Sequence, residues 1–234
     1  MRKIFLDCGA YNGCSVELFT KMYDDYEEYE VFSFEANRGL SNQIISTAKK
    51  YKFKNFTLIN EAVWISSGIK YFVGSRLVDL YNDTDDATLV KSYEEITLMH
   101  EQEQTDTGQP RGNLQTLDFS KFILDNFDKN DYIILKMDIE GAEYKVIDKM
   151  FNDDSLKYIS KFYGELHGTK KGFNQNDTNK FFKQIYSNNL RMFNWDSMQG
   201  EISDLEIVPN NTENSFDING SCNRLCHSYK KIED

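Results

Sequence analysis

Short apolar runs alternate with amphipathic segments along the amino-terminal part of the chain and again past its middle. Ile4-Phe5-Leu6 reads as a buried strand that breaks at Asp7-Cys8-Gly9-Ala10-Tyr11-Asn12-Gly13. A helix is predicted from near Ser15, with Val16, Leu18, Phe19 and Met22 on its inward side. Val31-Phe32-Ser33-Phe34 is a second strand ending in Glu35, and a polar helix follows from about Ser41 to Lys50. Phe56-Thr57-Leu58-Ile59 is a third strand, running into Asn60-Glu61-Ala62-Val63-Trp64. Tyr132-Ile133-Ile134-Leu135-Lys136-Met137 is strongly apolar and ends in Asp138-Ile139-Glu140-Gly141-Ala142-Glu143, where a helix starts near Glu140 with Val146, Ile147 and Met150 buried. Alternation of this kind predicts a doubly wound α/β sheet with helices on both faces. Four strand ends then carry polar groups toward one edge, where open sheets of this class bind their ligands.

Two regions break the alternation. From Ser66 to about Asn113 the chain is largely polar and loop-like, with Lys70-Tyr71-Phe72-Val73 as a short strand candidate. A loop that long in a compact domain is characteristically a lid or a binding loop. We therefore expect residues 66–113 to emerge at the ligand edge and cover a substrate. Beyond Ser203, Leu205-Glu206-Ile207-Val208 reads as a last strand and Asn210-Asn211-Thr212-Glu213-Asn214 as loop.

At 234 residues the chain is long enough for one α/β domain with a full core, so a single domain over 1–234 is expected. Its formal charge of -11 argues against a nucleic-acid-facing surface, because phosphate binding draws on clustered Lys and Arg. The basic run Lys49-Lys50-Tyr51-Lys52-Phe53-Lys54 falls at a predicted helix end, where the dipole and solvent favour cations. The first core strand begins directly after Met1-Arg2, and no apolar stretch approaches membrane-spanning length. A reducing, cytoplasmic setting is the expectation, with Cys8 and Cys14 as packing residues. Cys222-x-x-x-Cys226-His227 departs from zinc-site spacing and has no second ligand pair.

The glycine spacing bears on which ligand the edge takes. A dinucleotide fingerprint requires glycines at the positions of Tyr11 and Cys14. Asp7-x-Gly9-x-x-x-Gly13 is instead the pattern of S-adenosylmethionine (SAM) enzymes with a doubly wound fold, in which the acid faces the cationic methionine end of the cofactor. Glu35, closing the second strand, is placed to accept hydrogen bonds from two ribose hydroxyls. A nicotinamide enzyme uses such an acid too, so Glu35 speaks for a nucleoside more than for methyl transfer.

Taken in order, Asp7-Cys8-Gly9-Ala10-Tyr11-Asn12-Gly13, Phe34-Glu35-Ala36-Asn37, Asn60-Glu61-Ala62-Val63 and Lys136-Met137-Asp138-Ile139-Glu140-Gly141-Ala142-Glu143 resemble the signature of FkbM-type SAM-dependent methyltransferases. The last block is the most specific, since the family typically reads Lys-x-Asp-x-Glu-Gly-x-Glu there. Leu117-Asp118 and Gly164-Glu165-Leu166-His167 also fall where the family has a Leu-Asp pair and a strand ending in Glu-x-His. One departure is Ala36, where the family usually has Pro. The resemblance implies a class I methyltransferase sheet and O-methylation of a hydroxyl on a small molecule or saccharide. It implies cofactor contacts from Asp7, Gly9, Ala10, Asn12, Gly13, Glu35, Ala36, Glu61, Ala62 and Asp138.

A hydroxyl acceptor is a weak nucleophile and needs a base or a metal to take its proton. Asp138, Glu140 and His167 are the catalytic candidates, with Glu165 beside them; His167 has the unperturbed pKa nearest working pH. Glu143 falls in the first helical turn, where the dipole alone accounts for an acid. Asp138 closes an apolar strand and must be hydrogen-bonded, ion-paired or metal-bound. Asp138 with Glu140 offers oxygen ligands for Mg²⁺, and Lys136 on the same strand face is an alternative partner for Asp138. The competing readings are a nucleic-acid 2′-O methyltransferase, a SAM-binding subunit without catalysis, and a nicotinamide oxidoreductase. Acceptor, metal identity and oligomeric state have no signature in the sequence.

Overall fold

In the computed structural model, residues 1–73, 76–78, 112–167, 173–195, 205–209 and 227–231 are described. The central strands are β1 (Lys3–Cys8) and β8 (Tyr132–Met137), paired in parallel. Beyond β1 lie β2 (Tyr29–Phe34) and β3 (Asn55–Ile59); beyond β8 lie β9 (Ile159–Gly164), β10 (Met192–Asn194), β11 (Leu205–Pro209) and β12 (His227–Lys231). The strands from β3 to β10 run parallel, while β11 is antiparallel to both of its neighbours. The chain winds outward from β1 to β3 and then returns to build β8 on the other side of β1. That reversal puts a crevice at the carboxyl ends of β1 and β8.

Helices cover both faces, which is why the central strands are apolar on both sides. On one face, Ile4, Leu6, Leu135 and Met137 pack with Phe119 and Ile123 of α3 (Phe119–Asn126), Val146 and Ile147 of α4 (Glu143–Asn152) and Phe181 of α5 (Gln175–Ser187). On the other, Phe5, Val31 and Ile134 pack with Val16, Leu18 and Phe19 of α1 (Cys14–Met22) and Ala48 of α2 (Ser41–Ala48). Met22 is only half-buried, at the rim of that second core. Cys8 and Cys14 are free thiols, Cys8 in the core and Cys14 opening α1. Asn174 starts α5 with a capping box: its side chain accepts from the backbone of Asn176 and Asp177, and Asp177 reaches back to its own amide.

The segment after the third strand departs from the expectation. Ala62–Trp64 forms β4, which leaves the main sheet and pairs with β7 (Gly112–Asp118). With β5 (Gly68–Val73) and β6 (Arg76–Val78) these make a second, four-stranded sheet in the order β4-β7-β5-β6. The two ends of the supposed loop are therefore strands. Their stabilisation is long-range: Thr116 Oγ1 donates to the carbonyl of Ser66 at 2.8 Å, across some fifty residues of sequence. Local hydropathy carries no trace of such a pairing. Asp118 at the end of β7 caps α3 by accepting from the Lys121 amide and takes the Lys149 ammonium at 2.8 and 2.9 Å, a structural role for the Leu-Asp pair. The interior of the expected lid, residues 79–111, lies outside the described residues, as do Cys222 and Cys226.

Candidate active site

The turn leaving β1 is built on left-handed glycines, Gly9 (φ 79°) and Gly13 (φ 88°), with Tyr11 (φ 50°) between them in the same region. The amides of Gly9 and Ala10 both donate to the Phe34 carbonyl, at 3.0 and 3.1 Å. A Cβ on Gly9 would run into the backbone carbonyl of Asp138. A Cβ on Gly13 would press on Thr47 and Ile44 of α2 at 3.1–3.2 Å. The steric demand at Gly9 comes from the end of β8, which lies against the turn. Asn12 accepts from the Cys14 amide at 3.0 Å and so organises the start of α1; Ala10 is fully buried.

Glu35 is half-buried at the end of β2 with both oxygens oriented by backbone. Its Oε2 accepts from the Tyr11 amide and its Oε1 from the Asn37 amide, each at 2.8 Å. Burial raises its pKa, and the two amides hold the carboxylate against that pull. Beside it opens a cleft of about 330 Å³ lined by Ala36, Asn37, Arg38, Gly39, Asn60, Leu114 and Gln115. Asn60 braces this wall: its Nδ2 donates to the Glu35 carbonyl at 3.3 Å and its Oδ1 accepts from Ser41. Glu61 is half-buried and Ala62 buried at the head of β4, and neither lines the cleft. Leu114 and Gln115 had no site signal in the sequence, because they arrive from the second sheet.

Register then stacks a polar layer on the apolar one. Ser33, Asp7 and Lys136 are aligned on β2, β1 and β8, on the face that holds Val31, Phe5 and Ile134 one layer below. Asp7 and Lys136 are completely buried, 3.4 Å apart, and Ser33 donates to Asp7 Oδ2 at 3.2 Å. The Lys136 ammonium also donates to the carbonyls of Gly9 (2.6 Å) and Cys8 (3.3 Å) and stands 3.9 Å from Asp138 Oδ2. Burial pulls the Lys136 pKa down, but the charges of Asp7 and Asp138 outweigh it and hold the group protonated, above the ordinary lysine value. Lys136 is thus shared between both acids, and Asp7 is sealed beneath the turn.

The end of β8 turns through two left-handed residues, Glu140 (φ 59°) and Gly141 (φ 102°). The turn delivers Glu143 to the first position of α4, wholly buried, with Oε1 accepting from the Ile139 amide at 2.9 Å. The same oxygen lies 3.1 Å from His167 Nδ1, while Oε2 is buried without a hydrogen-bond partner. His167, beyond β9, is itself buried, and its Nε2 faces Asp138 Oδ1 at 3.8 Å, Glu140 Oε2 at 3.9 Å and Glu165 Oε1 at 3.6 Å. Burial alone would lower the His167 pKa. The hydrogen bond to Glu143 and the charges of Glu143, Asp138 and Glu140 together push it up to about 9. So the ring carries a proton at neutral pH in this arrangement, whereas the sequence reading had it ready to accept one. Asp138, Glu140 and His167 are brought together as expected, and Glu143 joins them. Its place in the first helical turn concealed that, since the dipole seemed to explain it.

A family model described as the methyltransferase FkbM domain matches residues 7–194. The chain belongs to the FkbM methyltransferase family. No curated protein and no solved structure matches it. In this FkbM methyltransferase the matched span starts at Asp7 in β1 and ends at Asn194 in β10, so it encloses the turn, Glu35, the cleft and the whole acid–histidine cluster. The parallel sheet with its edge at β1 and β8 is the architecture that the resemblance implied. Among the described residues, no helix is long and apolar enough to cross a membrane. His227, the end of the Cys-x-x-x-Cys-His run, is buried at the head of β12; burial and the nearby His167 push its pKa down to about 4.

Proposed function

We propose that this FkbM methyltransferase is a single-domain enzyme that takes its methyl group from SAM and transfers it to a hydroxyl of a small molecule or saccharide. The observation that carries the cofactor is Glu35. A carboxylate whose two oxygens are each fixed by one backbone amide keeps further lone pairs on both, aimed outward, as a cis-diol requires. The cleft beside it, walled by Ala36, Asn37, Asn60, Leu114 and Gln115, has room for a base next to that diol. Asp138, partly exposed and tethered to Lys136, supplies a negative group for the methionine amine. The residues fit the cofactor, which supplies an electrophilic methyl on a sulfonium.

What remains for the chain is alignment and the acceptor proton. Glu140, Glu165 and His167 stand beyond Asp138, away from Glu35, and present several acceptor oxygens to a polyhydroxylated ligand. We assign the acceptor to that end, with Asp138, Glu140 and His167 around its reacting hydroxyl. The insertion at about residues 66–113 is proposed as its lid. The charge of -11 supports a small acceptor over a nucleic acid.

Calorimetric titration of the full chain with SAM and with NADH, side by side, tests the cofactor. SAM is expected to bind and NADH to give no heat; binding of NADH alone overturns the reading. Glu35→Ala is expected to weaken SAM by about 1.5 to 3 kcal/mol, the range for hydrogen bonds to a charged group. An unchanged affinity in the folded variant removes Glu35 from the site.

A further inference from the structure

The acid–histidine cluster is built more heavily than proton transfer alone demands. One ligand atom from each of Asp138, Glu143 and His167 lies within 4.8 Å of the other two. Two of the three side chains are at least nine-tenths buried, and the third is one-quarter exposed toward the crevice. Clustered carboxylates by themselves mean little. Here, however, Glu143 is wholly enclosed, its Oε2 has no hydrogen-bond partner among the described residues, and its carboxylate lies in a cluster with a second carboxylate and an imidazole. A buried carboxylate oxygen left in that state costs about 1–3 kcal/mol or more, and the His167 ring nitrogen is directed at Oε1, so its proton leaves Oε2 unsatisfied. The Lys136 ammonium is engaged with Asp7, Asp138 and two carbonyls.

We propose that Asp138, Glu143 and His167 bind a divalent transition-metal cation. This rests on the functional reading above and gives the acceptor end its chemistry. At metal–ligand bonds of about 2.1 Å, neighbouring ligand atoms stand about 3 Å apart. One imidazole nitrogen serves the ion: His167 Nδ1 and Glu143 Oε1, 3.1 Å apart, already meet that spacing, and Asp138, within the 4.8 Å cluster, needs a side-chain rotation to join them. An imidazole among carboxylates selects Mn²⁺ or Fe²⁺ over Mg²⁺, which favours oxygen ligands and retained water. The set differs from the oxygen-only pair Asp138 and Glu140: its second carboxylate is the buried Glu143. A hydroxyl held by such an ion loses its proton more readily, as metal-bound water does.

The test uses the full chain and Mn²⁺ as the probe. Loss of the free Mn²⁺ electron-spin resonance signal on adding protein is expected to report one ion per chain, with Mg²⁺ at least about tenfold weaker as a competitor. Glu143→Gln and His167→Gln are each expected to weaken Mn²⁺ at least about tenfold. In the unaltered protein, electron spin-echo modulation from a directly bonded imidazole nitrogen is expected, and it holds even if a variant fails to fold. Absence of Mn²⁺ binding, equal competition by Mg²⁺, or bound Mn²⁺ without nitrogen coupling overturns the proposal. SAM affinity is measured separately with chelator present. Its absence both there and with Mn²⁺ added, while Mn²⁺ itself binds, counts against the cofactor reading alone, and retained SAM binding without Mn²⁺ binding counts against the metal alone.

Discussion

The two ends of the central strands carry charge in opposite ways. At the amino end, cations match acids contact by contact: Arg2 meets Glu30 at 2.7 Å and lies 3.8 Å from Asp131, Lys54 meets Glu30 at 2.9 Å, and Lys3 meets Asp25 and Glu28 at 2.6 Å. At the carboxyl end Asp7, Glu35, Asp138, Glu140, Glu143 and Glu165 face Lys136 and the His167 ring. The difference is visible in the titration of single groups. The Arg2 hydrogen bond and Lys54 hold the Glu30 carboxyl down at about 2, whereas burial pushes the Glu35 carboxyl up. An end that serves only the fold is close to neutral. An end that retains excess negative charge, part of it buried, needs a ligand to balance it.

Lys136 is where this contrast breaks most sharply. Lys136→Met leaves Asp7 as an uncompensated buried charge, and a stability loss of about 3 to 5 kcal/mol is expected by denaturant unfolding. Adding Asp7→Asn to that variant is expected to restore much of the loss. If the double variant is no more stable than the single one, Lys136 acts through its carbonyl contacts and the charge argument fails.

Gly9→Val probes the turn in the same region. Its left-handed backbone and the collision with the Asp138 carbonyl together set an expected loss of about 2 to 5 kcal/mol. The unfolding midpoint should therefore drop along with SAM affinity. Loss of binding at full stability would mean that the valine meets the ligand and not β8.

The amino end is expected to give the smallest response. Arg2→Ala removes a partly exposed pair and should cost no more than about 1 kcal/mol at neutral pH. The Glu30 pKa falls from 4.5 in the unfolded chain to about 2 in the folded one. Its contribution is thus present above 4.5 and lost as pH falls toward 2. Chemical denaturation from pH 6 down to pH 3 should show the unaltered protein converging on the Arg2→Ala variant; a constant gap would mean that Arg2 acts through its stacking on Phe127 at 5.4 Å.

Much of the main sheet was legible. β1, β2, β3 and β8 fall within a residue or two of their apolar runs, and in β1 and β8 burial on both faces leaves an unbroken hydrophobic signature. The places of Glu35 and Asp138 at strand ends were legible for a related reason: an acid that ends such a strand has no packing explanation. Of the second sheet only β5 was legible, through the strand candidate Lys70–Val73; its pairing was not, since β5 and β7 hold each other across a long excursion and their own residues are mixed in polarity. Neither was the role of Glu143. Nothing in its local sequence shows that its carboxylate meets an imidazole 24 positions further on. Lys136 was read as a partner for Asp138 alone; its bond to the Gly9 carbonyl depends on strand register, which only the assembled sheet reveals.

That bond has a practical consequence for anyone diversifying the enzyme. The Lys136 ammonium ties the turn after β1, through Gly9 and Cys8, to Asp138, the first acid of the proposed acceptor end. Residues 9, 136 and 138 therefore behave as one heritable block, to be transplanted or left intact together. Leu114 and Gln115, which wall the cleft from a different sheet, make no hydrogen bond to that block among the described residues, and on the proposed reading they are the positions where a mutagenesis library can reshape the ligand's surroundings while the chemistry stays in register.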